Sequence, residues 1–85
     1  MDIIKFDIVM HNNDKTPFDL VCYVLEEIFD MTSEEANKKA LEIHNNQKSV
    51  VGTYIYEIAV DKQYQATAIF NANGYFMNID LQINK

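Results

Sequence analysis

Apolar positions along this chain recur with two periods, and the switches between them mark out the elements. Between Ile3 and Met10, Ile4, Phe6, Ile8 and Met10 point one way while Lys5, Asp7 and Val9 point the other. A period of two is that of a half-buried strand. A polar turn, His11-Asn12-Asn13-Asp14-Lys15, follows. Beyond it Val21, Val24, Leu25, Ile28 and Phe29 fall on one face of a helix. Thr16 is expected to cap that helix, with Pro17 at its first position and Asp19 suited to its positive end. Asp30-Met31-Thr32-Ser33 interrupts the pattern. Thr32 and Glu35 then have the spacing of a capping box for a second helix, on which Ala36, Ala40, Ile43 and His44 share a face. Asn45-Asn46-Gln47-Lys48 ends it, and the short loop between the helices predicts an antiparallel hairpin.

Ser49 to Tyr56, rich in Val, Thr, Tyr and Ile, reads as a second strand. Gly52 within it marks a bulge or a close backbone approach. A third helix is expected over about Glu57 to Asn71, with Ala59, Gln63, Ala66, Ile69 and Phe70 facing inward and Asn73-Gly74 as its stop. In the last strand Met77, Ile79, Leu81 and Ile83 alternate with Asn78, Asp80 and Gln82. The order β-α-α-β-α-β predicts the α+β class: a two-layer domain, its three-stranded antiparallel sheet packed on three helices and meeting water on its other face. Residues 1–85 read as a single domain, expected to be a monomer.

Composition narrows the function classes. With 48% hydrophobic residues the chain is not of the disordered type. A net charge of −6 without a basic cluster disfavours nucleic acid and anionic membranes as partners. No apolar run approaches the roughly 18 residues of a membrane span, and no signal-peptide pattern opens the chain. Cys22 is the single cysteine, so no internal disulfide forms, and its helical surroundings predict a buried thiol. A reducing setting is expected, cytoplasmic or inside an organelle.

Catalytic templates are missing: there is no His-Glu-x-x-His, Cys-x-x-Cys, phosphate-binding glycine loop or Gly-x-Ser-x-Gly. A Cys22–His44 pair is the one conceivable nucleophilic arrangement, and nothing local supports it. His11, His44 and Asp14 match no metal-ligand spacing, so neither metal nor cofactor is expected. More chemistry lies in the stretch from Met10 to Phe29, where amide and carboxylate oxygens adjoin Phe18 and Val21. That mixture suits a small cationic group carried on an apolar body; it equally describes a capped helix after a solvated loop. His44 is either a satisfied structural histidine or part of a groove rim.

Taken together, two segments resemble a known family. Asn12-Asn13-Asp14-Lys15-Thr16-Pro17-Phe18 resembles the motif Asn-Asp-Asp-x-Thr-Pro-Met, and Leu41-Glu42-Ile43-His44 resembles x-x-Val-His. Lys48-Ser49-Val50-Val51-Gly52 is similar to Lys-x-x-x-Gly, and Glu57-Ile58-Ala59 with Lys62 to Glu-Val-Ala followed by Lys. This is the pattern of the ClpS adaptors of the Clp protease, and it runs from about Ile4 to Leu81. The resemblance implies the same β-α-α-β-α-β fold and no catalysis. It implies binding of a free N-terminal Leu, Phe, Tyr or Trp (an N-degron) and its delivery to a ClpA- or ClpC-type AAA+ unfoldase. The runner-up is a ClpS-like decoy or regulatory domain that binds the unfoldase or N-degrons without delivery.

By that resemblance Asn12, Asn13, Asp14 and a neutral His44 accept from the N-terminal amine. Thr16, Phe18, Val21, Ala40, Ile43 and Met77 form the pocket for the first side chain. Glu57 and Lys62 match positions used to dock on the unfoldase. Three departures bear on the site. Asn13 replaces an Asp and removes a negative charge; Phe18 replaces a gate Met with a larger ring; Ala40 stands where a larger Met is common. A reshaped pocket is therefore expected, opened at Ala40 and narrowed at Phe18. Ile55 replaces a Thr that would cap the third helix, which should begin less sharply. The family's longer arm ahead of the first strand, used in delivery, has no counterpart before Ile3, which fits either a trimmed chain or a protein that binds N-degrons without the usual delivery.

Overall fold

The computed structural model describes residues 3–85. Its elements are β1 (Lys5–His11), α1 (Phe18–Glu27), α2 (Ser33–Asn46), β2 (Lys48–Ile55), α3 (Tyr56–Ala72) and β3 (Ile79–Asn84). The order is that of the predicted α+β fold. In the sheet the strands lie β2-β1-β3, and β1 is antiparallel to both neighbours. The central place of β1 explains its unbroken burial over Ile8, Val9 and Met10, since a middle strand has no edge open to water.

One face of the sheet carries the core. Ile8, Met10, Val51 and Ile79 meet Val24 and Leu25 of α1, Ala36 and Ile43 of α2, and Ala59, Ala66 and Phe70 of α3. Alanines let α2 sit close on α1 and β2 and let α3 sit close on the sheet, and Phe70 is fully enclosed. On the opposite face the pairs Lys5–Asn84, Asp7–Gln82 and Asp7–Thr53 are largely in water. Val9 is the exception there: it is buried yet stands apart from the core cluster, between Val50 and Asp80.

Several local expectations hold. Thr32 and Glu35 form the complete capping box of α2, with Glu35 N–H donating to Thr32 Oγ1 at 3.1 Å and Thr32 N–H to Glu35 Oε1 at 2.8 Å. The ladder slips one register between Ile8 and Val9, opposite Val50–Gly52, which is the bulge expected at Gly52. A close approach is present as well: a Cβ on Gly52 would lie 2.5 Å from the Tyr54 ring, which folds back over it. At Gly74 φ is +86°, and Tyr75 N–H donates to Phe70 O at 2.9 Å, which closes α3. As expected with Ile55 at its N-cap, α3 starts without a side-chain cap.

Others need correction. Thr16 does not cap α1; Pro17 occupies the N-cap with no side-chain bond, and the helix begins at Phe18. The Thr16 hydroxyl instead donates to Met77 Sδ at 3.2 Å, a partner that local spacing could not reveal. Ile3 and Ile4 lie ahead of β1, and Met77 lies ahead of β3 rather than in it. Phe29 is buried although α1 stops before it, because Asp30 at φ 56° turns the chain and leaves Phe29 pointing into the core.

Candidate functional site

Two element ends converge to build the site. The loop after β1 is clipped on both sides: His11 N–H donates to Asn78 O at 3.0 Å, and Asn12 N–H to Gln47 O at 2.7 Å. Gln47 can present that carbonyl because it takes a left-handed conformation, φ 72°, at the end of α2. Asn13 then forms an Asx turn, its Oδ1 accepting from Lys15 N–H at 2.9 Å while its backbone carbonyl accepts from Thr16 N–H at 3.1 Å. The loop therefore faces the last turns of α2, which present Ala40, Leu41, Ile43 and His44.

Between them lies a cavity of about 520 Å³, lined by Asn12, Asn13, Asp14, Thr16, Phe18, Val21, Ala40, Leu41, Ile43, His44 and Met77. Its size falls within the range of small-ligand sites. All ten residues placed at the amine and side-chain sites by resemblance line this one cavity. Val21, Ala40, Ile43 and Met77 are buried and form its apolar depth. Phe18 and Leu41 are exposed apolar side chains at the mouth, as is the imidazole-bearing His44. Leu41 was not foreseen as a lining residue. Its signal was an apolar side chain off the buried stripe of α2, three positions before His44 on the same face.

The polar rim is acceptor-rich. Asn12 Nδ2 donates to Asp14 Oδ1 at 3.0 Å, and among the described residues the Asn12 side-chain oxygen and the second carboxylate oxygen of Asp14 accept no hydrogen bond. Asn13 differs. Its Nδ2 donates to Phe76 O at 2.6 Å, so both ends of its side chain are engaged in the fold.

Residues outside the cavity separate clearly from it. Cys22 is buried, with its Sγ 3.5 Å from Asn37 Oδ1, and among the described residues it makes no hydrogen bond to a histidine. Burial above all, then Glu26 and Asp19, pushes its thiol above the ordinary 9.0, the reverse of an activated nucleophile. Glu57 is exposed on the first turn of α3. Lys62 is not freely projecting: its Nζ donates to Ile28 O at 2.7 Å, lies 3.8 Å from Asp30, and stacks 5.2 Å from the Tyr54 ring centre. A cation on the last carbonyls of α1 suits the negative end of that helix. His11, the other histidine, pairs with Asp80 at 2.7 Å on the far face of the sheet. Among the described residues no three His, Cys, Asp or Glu side chains are placed to hold a metal ion, and no helix is long and apolar enough to cross a membrane.

Comparison with known proteins gives the same family. The model of the family described as ATP-dependent Clp protease adaptor protein ClpS matches residues 4–80. The chain belongs to the ClpS family. A ClpS adapter protein of Helicobacter hepaticus is 36% identical over 74 residues, covering 87% of this chain and 75% of that protein. One from Vibrio atlanticus is 38% identical over 70 residues, covering 82% and 66%. ClpS members are adaptors of the Clp protease, so this chain is an adaptor and not an enzyme. Agrobacterium tumefaciens ClpS2, solved bound to L-phenylalaninamide, shares the fold with a TM-score of 0.93 at 22% identity, over 98% of this chain and 100% of that one.

Proposed function

We propose that this ClpS-family chain binds proteins by a free N-terminal residue with a bulky apolar side chain and delivers them to a ClpA- or ClpC-type AAA+ unfoldase. The observation that carries the reading is the composition of one cavity: free acceptors of Asn12, Asp14 and His44 on the rim, apolar Val21, Ala40, Ile43 and Met77 in the depth. An N-terminal residue has that same division. Its α-amine has a pKa of roughly 7.7–8 and is largely cationic at neutral pH, so a carboxylate among its acceptors adds charge-assisted strength. L-phenylalaninamide, held by the A. tumefaciens relative, carries a free amine, a benzyl side chain and no carboxylate, as the first residue of a chain does.

The magnitudes agree with micromolar-scale binding. Burying a Leu or Phe side chain contributes about 1.5–3 kcal/mol, and each hydrogen bond to the charged amine about 1.5–3 kcal/mol. With three such bonds and one side chain, the upper end of these ranges less the smallest association cost of about 4 kcal/mol corresponds to the roughly −8 kcal/mol of a micromolar Kd. Thr16 contributes indirectly by holding Met77 through its hydroxyl. For contact with the unfoldase Glu57 is the stronger candidate, since Lys62 is already bonded to Ile28 O. The setting proposed is the cytoplasm or an organelle interior, with the chain as a monomer and a single domain.

A degradation assay tests this. A reporter exposing an N-terminal Phe is incubated with ClpP, a ClpA- or ClpC-type unfoldase and this protein. Faster loss of the Phe reporter than of one beginning with Ser is expected. Binding of the Phe reporter with slowed degradation would instead establish a decoy.

A further inference from the structure

Asn13 lies between the two loop residues assigned to the amine, yet its side chain is bound elsewhere. Nδ2 donates to the backbone carbonyl of Phe76 at 2.6 Å, and Oδ1 accepts from Lys15 N–H at 2.9 Å. The next contact along the loop is Thr16 Oγ1 on Met77 Sδ, at 3.2 Å. Asn78 O, one residue further, accepts from His11 N–H at 3.0 Å. Residues 76–78 are thus gripped in succession by the loop that forms the polar rim. They need it. This segment belongs to neither α3 nor β3, and the Phe76 side chain is 84% exposed, so packing of its ring does not fix the backbone. Yet it carries Met77, a buried wall of the cavity.

We propose that Asn13 is a positioning residue: its amide latches the Phe76 carbonyl, sets the Met77 wall relative to the amine loop, and thereby determines which first side chain the pocket prefers. This rests on the N-terminal-residue reading given above. An amide is required for the latch. Aspartate at this position could still accept from Lys15 N–H, but it has no proton for Phe76 O and would set two oxygens against each other.

The test uses the full chain, the variants Asn13→Ala and Asn13→Asp, and two readouts. Fluorescent peptides beginning with Phe and with Leu are titrated, each with a free and an acetylated amine. The Phe-to-Leu affinity ratio is read rather than either affinity, because the charge added by Asp draws every amine alike and a general loss of stability weakens both peptides alike. The ratio should change in both variants by about two- to tenfold, the range one neutral hydrogen bond spans. Discrimination against the acetylated peptides should persist, since Asn12, Asp14 and His44 remain. Amide 15N–1H spectra without peptide should show the Met77 and Asn78 signals displaced in both variants. An unchanged ratio would overturn the latch, and loss of amine discrimination in Asn13→Ala would overturn it by making Asn13 a direct amine ligand. If the unaltered protein binds neither peptide, the N-terminal-residue reading fails, and the spectra alone judge the latch: undisturbed Met77 and Asn78 signals refute it.

Discussion

His44 is exposed, and among the described residues only its backbone carbonyl, not its side chain, is hydrogen-bonded by Gln47, so its replacement separates recognition from stability. His44→Ala should raise the Kd for a Phe-starting peptide roughly tenfold or more, the size of one hydrogen bond to a charged amine, while thermal stability stays within about 0.5 kcal/mol. Ala40, buried in the cavity wall, tests the apolar half. Ala40→Met refills the space, and overpacking costs typically about 1–3 kcal/mol. Aromatic first residues should weaken at least about fivefold in a peptide panel, and Leu less. Cys22 makes a different prediction. Its thiol is raised above 9.0 by burial, so the fold favours the protonated form. The stability this contributes is complete below 9.0 and is lost as pH rises through the higher folded value. Denaturation midpoints should therefore fall at alkaline pH, less steeply in Cys22→Ala. Tyr54, raised above 10.0 chiefly by burial, adds to the same trend. At this level the sequence was informative where chemistry is local. Asn12, Asp14, Phe18 and Val21 are near neighbours in the chain, and the motif marked them. The bonds from Thr16 to Met77 and from Asn13 to Phe76 were hidden, because their partners are 61 and 63 residues away. One of those partners is a backbone carbonyl, which no residue type announces.

Helix α2 and strand β2 show where periodicity and punctuation suffice. The Thr32–Glu35 box has a fixed spacing and was legible; it is present in full. Thr32→Ala should cost about 1 kcal/mol, which for a domain of this size lowers Tm by roughly 4–8 °C. The Glu35 carboxyl is held below its ordinary 4.5, first by the Thr32 backbone N–H and then by its side chain. Its contribution is present above 4.5 and fades as pH falls through the lower folded value. The deficit of Glu35→Ala, which removes the carboxylate that the Thr32 N–H bonds, should accordingly shrink in acid. Gly52 was legible only as an irregularity, and the reason lies two residues on. The Tyr54 ring lies over Gly52 and also faces the Lys62 ammonium. A methyl at 52 must push that ring aside. The start of α1 was misread because Thr-Pro is a common helix entry, and Thr16 had a stronger claim on it from across the molecule.

For the molecule as a whole, three strands and three helices fix the layers, and both periods were plain in the chain. The strand order was not: two antiparallel partners for β1 follow from β2 and β3 closing on opposite edges, and alternation alone does not choose the middle strand. That choice matters for function. With β1 central, its end delivers the loop 11–17 between the end of α2 and the segment before β3, and the cavity forms where the three meet. Polar acceptors then stand on one side of an apolar hole, and the proposed recognition of a first residue depends on that arrangement. The most direct measurement is an anisotropy titration with two fluorescent peptides of the same sequence beginning with Phe, one with a free amine and one acetylated. The proposed site predicts saturable binding of the free peptide near the micromolar range and a loss of at least about tenfold on acetylation. Equal binding of the two peptides, or binding of neither, would contradict it.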